Sequence, residues 1–86
     1  MRPNVSVTFD DLSLIREIWS VPNQIFTVKR IRKLIERKYH LVLSENEKKM
    51  LGKRLSVCLL WMIDTQDARI FSRTDYGAII YQKVVN

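Results

Sequence analysis

Glycine, proline, cysteine and histidine are scarce in these 86 residues: two, two, one and one. So few Gly and Pro exclude a low-complexity or disordered chain. The single cysteine, Cys58, excludes an internal disulfide. Without a CxxC pair or a second histidine there is also no ligand set for zinc. Cys58 therefore reads as a buried apolar residue and His40 as a solvated residue at a helix end. Membrane features are missing too: no apolar run reaches the ~18 residues of a spanning helix, and Met1-Arg2-Pro3-Asn4 lacks the apolar core of a signal peptide. The expectation is an intracellular protein, cytoplasmic or nuclear, of one domain. Paired carboxylates, a Ser-His-Asp supply and a glycine-rich phosphate loop are likewise missing. No enzyme is expected, and with it no cofactor, no metal and no small-molecule substrate.

What is present is positive charge. The chain carries 15 Lys and Arg against 9 Asp and Glu, a net of +6. A surplus of that size implies an acidic partner, with nucleic acid ahead of an anionic membrane. It is also unevenly spread. From Thr27 to Ser56 ten Lys/Arg stand against three Glu, a net of +7, whereas the rest of the chain nets −1.

Hydrophobic residues make up 47% of the chain, enough for one modest core. Residues 1–7 read as a tail and residues 8–86 as the domain. Thr8 is expected to start a first helix, with Asp10 and Asp11 at the favourable end of its dipole. Leu12, Ile15 and Trp19 fall on one face, and Leu14 and Ile18 widen that stripe. Pro22 closes the helix near Ser20. Gln24-Ile25-Phe26 suits a single small strand. Thr27 caps a second helix over residues 28–39, whose core face is Val28, Ile31, Ile35 and Tyr39. Ser44 and Glu47 form a capping-box pair, so a third helix starts at Glu45. Its core face is Leu51, Leu55, Cys58, Leu59 and Met62. Beyond Ile63 the period changes. Ala68 to Ser72 and Ala78 to Val84 are rich in β-branched and aromatic residues, and the turn between them ends at Gly77. A hairpin is expected there.

The order helix, short strand, helix, helix, strand, strand resembles the winged helix-turn-helix family over about residues 8–85. The segment Phe26-Thr27-Val28-Lys29-Arg30-Ile31, followed by the capped third helix, looks like that family's helix-turn-helix unit. The hairpin ending in Ile79-Ile80-Tyr81 looks like its wing. His40 to Ser44 is slightly long for the family's turn, and the third helix is unusually apolar in its second half. The resemblance implies an α+β fold, three helices with a C-terminal β-hairpin wing, and binding of double-stranded DNA by a small transcriptional regulator. The third helix would enter the major groove, the second would brace it near the phosphates, and the hairpin would touch backbone or minor groove.

The charge distribution agrees with that division. Asn46, Lys49 and Lys53 form one stripe on the third helix, and such side chains can pair with adenine or guanine edges. Arg30, Lys33 and Arg37 share the outer face of the second helix and suit phosphates. Arg69 and Arg73 flank the hairpin turn, and Tyr76 at its tip suits sugar or phosphate. Each group has a plainer reading, as the solvated face of an amphipathic element. The other aromatics (Phe9, Trp19, Phe26, Tyr39, Trp61, Phe71 and Tyr81) are expected mostly in the core. Gly52, mid-helix, suggests close approach of another helix or of a DNA backbone. The apolar stripe of the first helix, with Val57 and Leu60, could join two copies into a homodimer or pack under the hairpin. Two other functions fit the same features: a protein-interaction module that meets an acidic partner, and RNA binding, which would call for more exposed aromatics.

Overall fold

In a computed structural model, which describes residues 9–84, the chain is an α+β fold of three helices and a three-stranded antiparallel sheet. The elements are α1 (Asp11–Ser20), β1 (Ile25–Phe26), α2 (Val28–Lys38), α3 (Glu45–Asp64), β2 (Ala68–Arg73) and β3 (Ile79–Lys83). The tail expected over 1–7 and the expected start at Thr8 lie outside the described residues. No helix among the described residues is long and apolar enough to cross a membrane.

Each helix begins on a side-chain cap. Asp10, rather than a residue before it, caps α1, accepting from the Ser13 N–H at 2.7 Å. That bond holds its carboxyl below the ordinary carboxylate range. Thr27 caps α2. Ser44 and Glu47 form the expected reciprocal box at α3, with bonds of 2.9 and 3.2 Å. The ends of α2 and α3 share one device. His40 and Gln66 take left-handed φ of 54° and 65°. The following N–H groups, of Leu41 and Asp67, reach back to the carbonyls of Glu36 and Met62 at 2.8 and 2.7 Å. This Schellman arrangement satisfies carbonyls that a bare helix end leaves open. It also shapes the connection from His40 to Ser44, which buries Leu43.

The core is the meeting of three helices over one face of the sheet. Leu51, Leu55, Cys58, Leu59 and Met62 of α3 are all buried, as their spacing requires, together with Ile31 and Ile35 of α2. Val28 lies at the edge of this cluster. Tyr39 departs from the expected core face and is half-exposed. It packs edge-on to Phe9 and donates to Glu17.

Helix α1 departs further. Leu12 and Trp19 are exposed, and the residues driven inward are Leu14 and Ile18. Apolar side chains are spread widely around this helix, so hydrophobicity alone does not select its rotation. Polar ties on its two flanks do. Asp11 pairs with Arg54 of α3 at 3.6 Å, and its carbonyl accepts from the Cys58 thiol. Glu17 pairs with Lys38 of α2 at 3.1 Å and accepts from Tyr39. Leu14 and Ile18 lie between those flanks and are turned to the core.

The sheet has the order β1-β3-β2. Ile25 pairs with Gln82 and Phe26 with Tyr81, so the short strand docks on the far side of the hairpin. Phe71 is skipped in the ladder between Ile70–Tyr81 and Ser72–Ile80, a β-bulge on the outer strand. Gly77 takes φ 84°, and the Thr74 hydroxyl accepts from the Ala78 N–H to close the turn. Lys83 is buried, and its ammonium donates to the carbonyls of Ile18, Trp19 and Val21. A cation thus sits on the negative end of α1 and staples it to β3. Of the aromatics expected inside, Phe9, Phe26 and Tyr81 are buried, whereas Trp19, Tyr39, Trp61 and Phe71 are about half-exposed.

Candidate nucleic-acid interface

The register of α3 is fixed by its buried stripe. What points the other way is then a matter of helical geometry. Asn46, Lys49 and Lys53 lie off the core stripe on the outer side of the helix. On α2 the buried Ile31 and Ile35 leave Lys29, Arg30, Lys33 and Arg37 outside the core.

Ion pairing divides the basic segment into two groups. Arg32 is held by Glu36 one turn on, and Lys38 by Glu17. Arg54 is held by Asp11, and Lys48 by Glu45 at 3.4 Å. Glu17 accepts from both Lys38 and Tyr39, which pushes both groups above their ordinary pKa values. Lys29, Arg30, Lys33, Arg37, Lys49 and Lys53 form no salt bridge among the described residues. Glu36, Glu17, Glu45 and Asp11 are engaged with those four cations, and Glu47 accepts from the Ser44 N–H. The six unbridged side chains are exposed and face solvent or a ligand.

An open groove of about 390 Å³ connects these helices to the hairpin. Its walls include Thr27 and Lys29 at the start of α2, Ser56 of α3, and Thr74 and Tyr76 of the turn. Tyr76 is 96% exposed, so its ring is held clear of the body. Arg73 donates from its guanidinium to the Gly77 carbonyl and stays at the turn. At Gly52 an added Cβ would stand 3.8 Å from Val28 Cγ1, an ordinary contact. The neighbour at that position is therefore α2, with room for a methyl group.

Of the nine residues expected to contact DNA, the structure gathers Asn46, Lys49 and Lys53 on one face of α3. It sets Arg30, Lys33 and Arg37 on the outer face of α2, and Arg73 and Tyr76 at the hairpin turn. Arg69 does not join them. It stands near the base of β2 across from Gln82, to whose amide oxygen its Nε donates, and does not flank the turn. Its groove is a different one, shared with Gln24 and Lys83. The reason is strand length: β2 runs to Arg73, which moves the turn away from Arg69. Ser56, which helical spacing puts on the polar face of α3 with Asn46, Lys49 and Lys53, lines this groove, and Lys29 joins it although spacing did not single it out. The place of Lys29 depends on where the hairpin folds back, which periodicity along the helices does not encode. Among the described residues no His, Cys, Asp and Glu cluster could hold a metal ion.

Comparison with protein-family models, with curated proteins and with solved structures finds no match to this chain.

Proposed function

We propose that the chain is a winged helix domain that binds double-stranded DNA inside the cell, as a regulator of transcription and not as an enzyme. The observation that carries this reading is the ion-pair division: among the described residues, six cations on α2 and α3 form no salt bridge, whereas four others do. In this reading α3 lies in the major groove. Asn46, Lys49 and Lys53 face base edges, while Lys29, Arg30, Lys33 and Arg37 neutralise flanking phosphates. The β2–β3 hairpin is the wing, and Arg73 and Tyr76 meet the backbone or minor groove beside it. Arg69, engaged with Gln82, is left out of the contact set.

The test is selection of bound sequences from a random duplex pool, followed by binding of the selected duplex across a range of salt. Enrichment of a defined site, with affinity falling steeply as salt rises, supports the proposal. Retention of single-stranded RNA in preference to duplex DNA would contradict it. So would binding to acidic proteins alone.

A further inference from the structure

We propose that the protein forms a two-fold homodimer through the seam between α1 and the C-terminal half of α3. Asp11 holds the start of α1 against Arg54 and Cys58, so the two helices lie side by side. On the solvent side of that seam both carry apolar residues at helical spacing. Leu12 and Trp19 of α1 are 57% and 41% exposed; Val57, Leu60 and Trp61 of α3 are 43%, 56% and 45% exposed. No described residue covers them fully. Five large side chains, each with roughly 150–250 Å² when fully open, leave on the order of 400 Å² of apolar surface here. That lies within the roughly 300–600 Å² of the largest patch on a typical monomer, a patch that is often functional. A stable interface takes roughly 800 Å² from each partner, somewhat over half of it apolar, so the patch matches the apolar centre of such an interface and a polar rim supplies the rest.

The rim supplies the reason for a second copy. From Leu55 to Asp64 there is no Lys or Arg, so two copies meet here without opposing their cationic faces. Arg16, one helical turn from both Leu12 and Trp19 on α1, and Asp64, one turn beyond Leu60 and Trp61 on α3, are both exposed, and neither forms a salt bridge among the described residues. A two-fold axis along the seam lays α1 of one copy over α3 of the other. Arg16 then meets Asp64 of the second copy, and the same pair forms again on the other side of the axis. A patch with both charges on its own border is self-complementary, as an isologous contact requires.

The test is sedimentation equilibrium of the full chain, without nucleic acid, so that its outcome does not depend on DNA binding. The expected result is a monomer–dimer equilibrium, weakened at least tenfold by Leu60→Glu or Leu12→Glu with unchanged far-UV circular dichroism. Arg16→Glu weakens it several-fold, and adding Asp64→Arg restores it. A monomer at every concentration would overturn the proposal and assign the face to a different protein. A dimer unmoved by the Leu12 and Leu60 variants would overturn it too, as would failure of the double charge swap to restore association.

Discussion

The two halves of α3 share one buried stripe and differ on the outer face. From Glu45 to Arg54 the outward residues include Asn46, Lys49 and Lys53; from Leu55 to Asp64 they include Val57, Leu60 and Trp61. Leu51, Leu55, Cys58, Leu59 and Met62 run beneath both without a break. The core therefore fixes the rotation of the whole helix and leaves its outer face free to carry two chemistries. One is cationic and suited to phosphate and base edges. The other is apolar and suited to another protein surface. A single rigid element then places both at a set distance, with no linker between them.

The largest expected effect removes what the halves share. Leu55→Ala should destabilise the fold by about 2–5 kcal/mol in urea unfolding, because it removes buried surface and leaves a cavity. A loss below about 0.5 kcal/mol would mean that the two outer faces are not set by this stripe. Next comes the separation of the halves. If Lys53 reads a base, Lys53→Ala should cost about 1–3 kcal/mol of duplex discrimination and leave self-association alone. Leu60→Glu should do the reverse to self-association while the isolated fold stays intact. Equal effects of either variant on both readouts would erase the distinction.

A smaller effect sits at the centre of the cationic half. Gly52→Ala should stabilise the fold by up to about 1 kcal/mol, since alanine is the better helix former and its Cβ meets Val28 Cγ1 at an ordinary 3.8 Å. Destabilisation in thermal unfolding would show that α2 and α3 approach more closely than this. The smallest lies at the end of the apolar half. Gln66→Gly should add a few tenths to about 1 kcal/mol by relieving a left-handed φ that suits glycine. No gain would mean that the side chain of Gln66 contributes something that glycine lacks.

Much of this architecture is legible in the sequence. The capping box at Ser44, the core face of α3, the cap at Thr27 and the strand at Ile25–Phe26 all follow from spacing and cap chemistry, because each rests on neighbours in sequence. The rotation of α1 is not legible. Its apolar residues span too wide an arc, and Asp11 and Glu17, which settle the matter, act through Arg54 and Lys38, both distant in sequence. The same distance effect hides the buried role of Lys83, which by sequence is just one more cation. It also hides the division of the basic segment. Glu36 is near enough to Arg32 to suggest a pair, but nothing local says that Lys38 is held by α1 while Lys33 and Arg37 form no bridge among the described residues. Leu12 and Trp19 show the converse: a stripe whose spacing suits a core lies at the surface.

The central claim is that the unbridged cations bind DNA while the bridged ones do not. The direct measurement is duplex affinity against salt for two double variants, Lys49→Ala with Lys53→Ala and Arg32→Gln with Lys38→Gln, each first shown to fold. Both remove two positive charges from the same basic segment. The first should weaken binding strongly and relax discrimination at the contacted bases, and the slope of log affinity against log salt flattens by about one unit for either lysine that meets a phosphate instead. The second should leave affinity and slope close to those of the unaltered protein. Equal, small changes from both variants would contradict the account and leave the charge on α3 as a solvated surface.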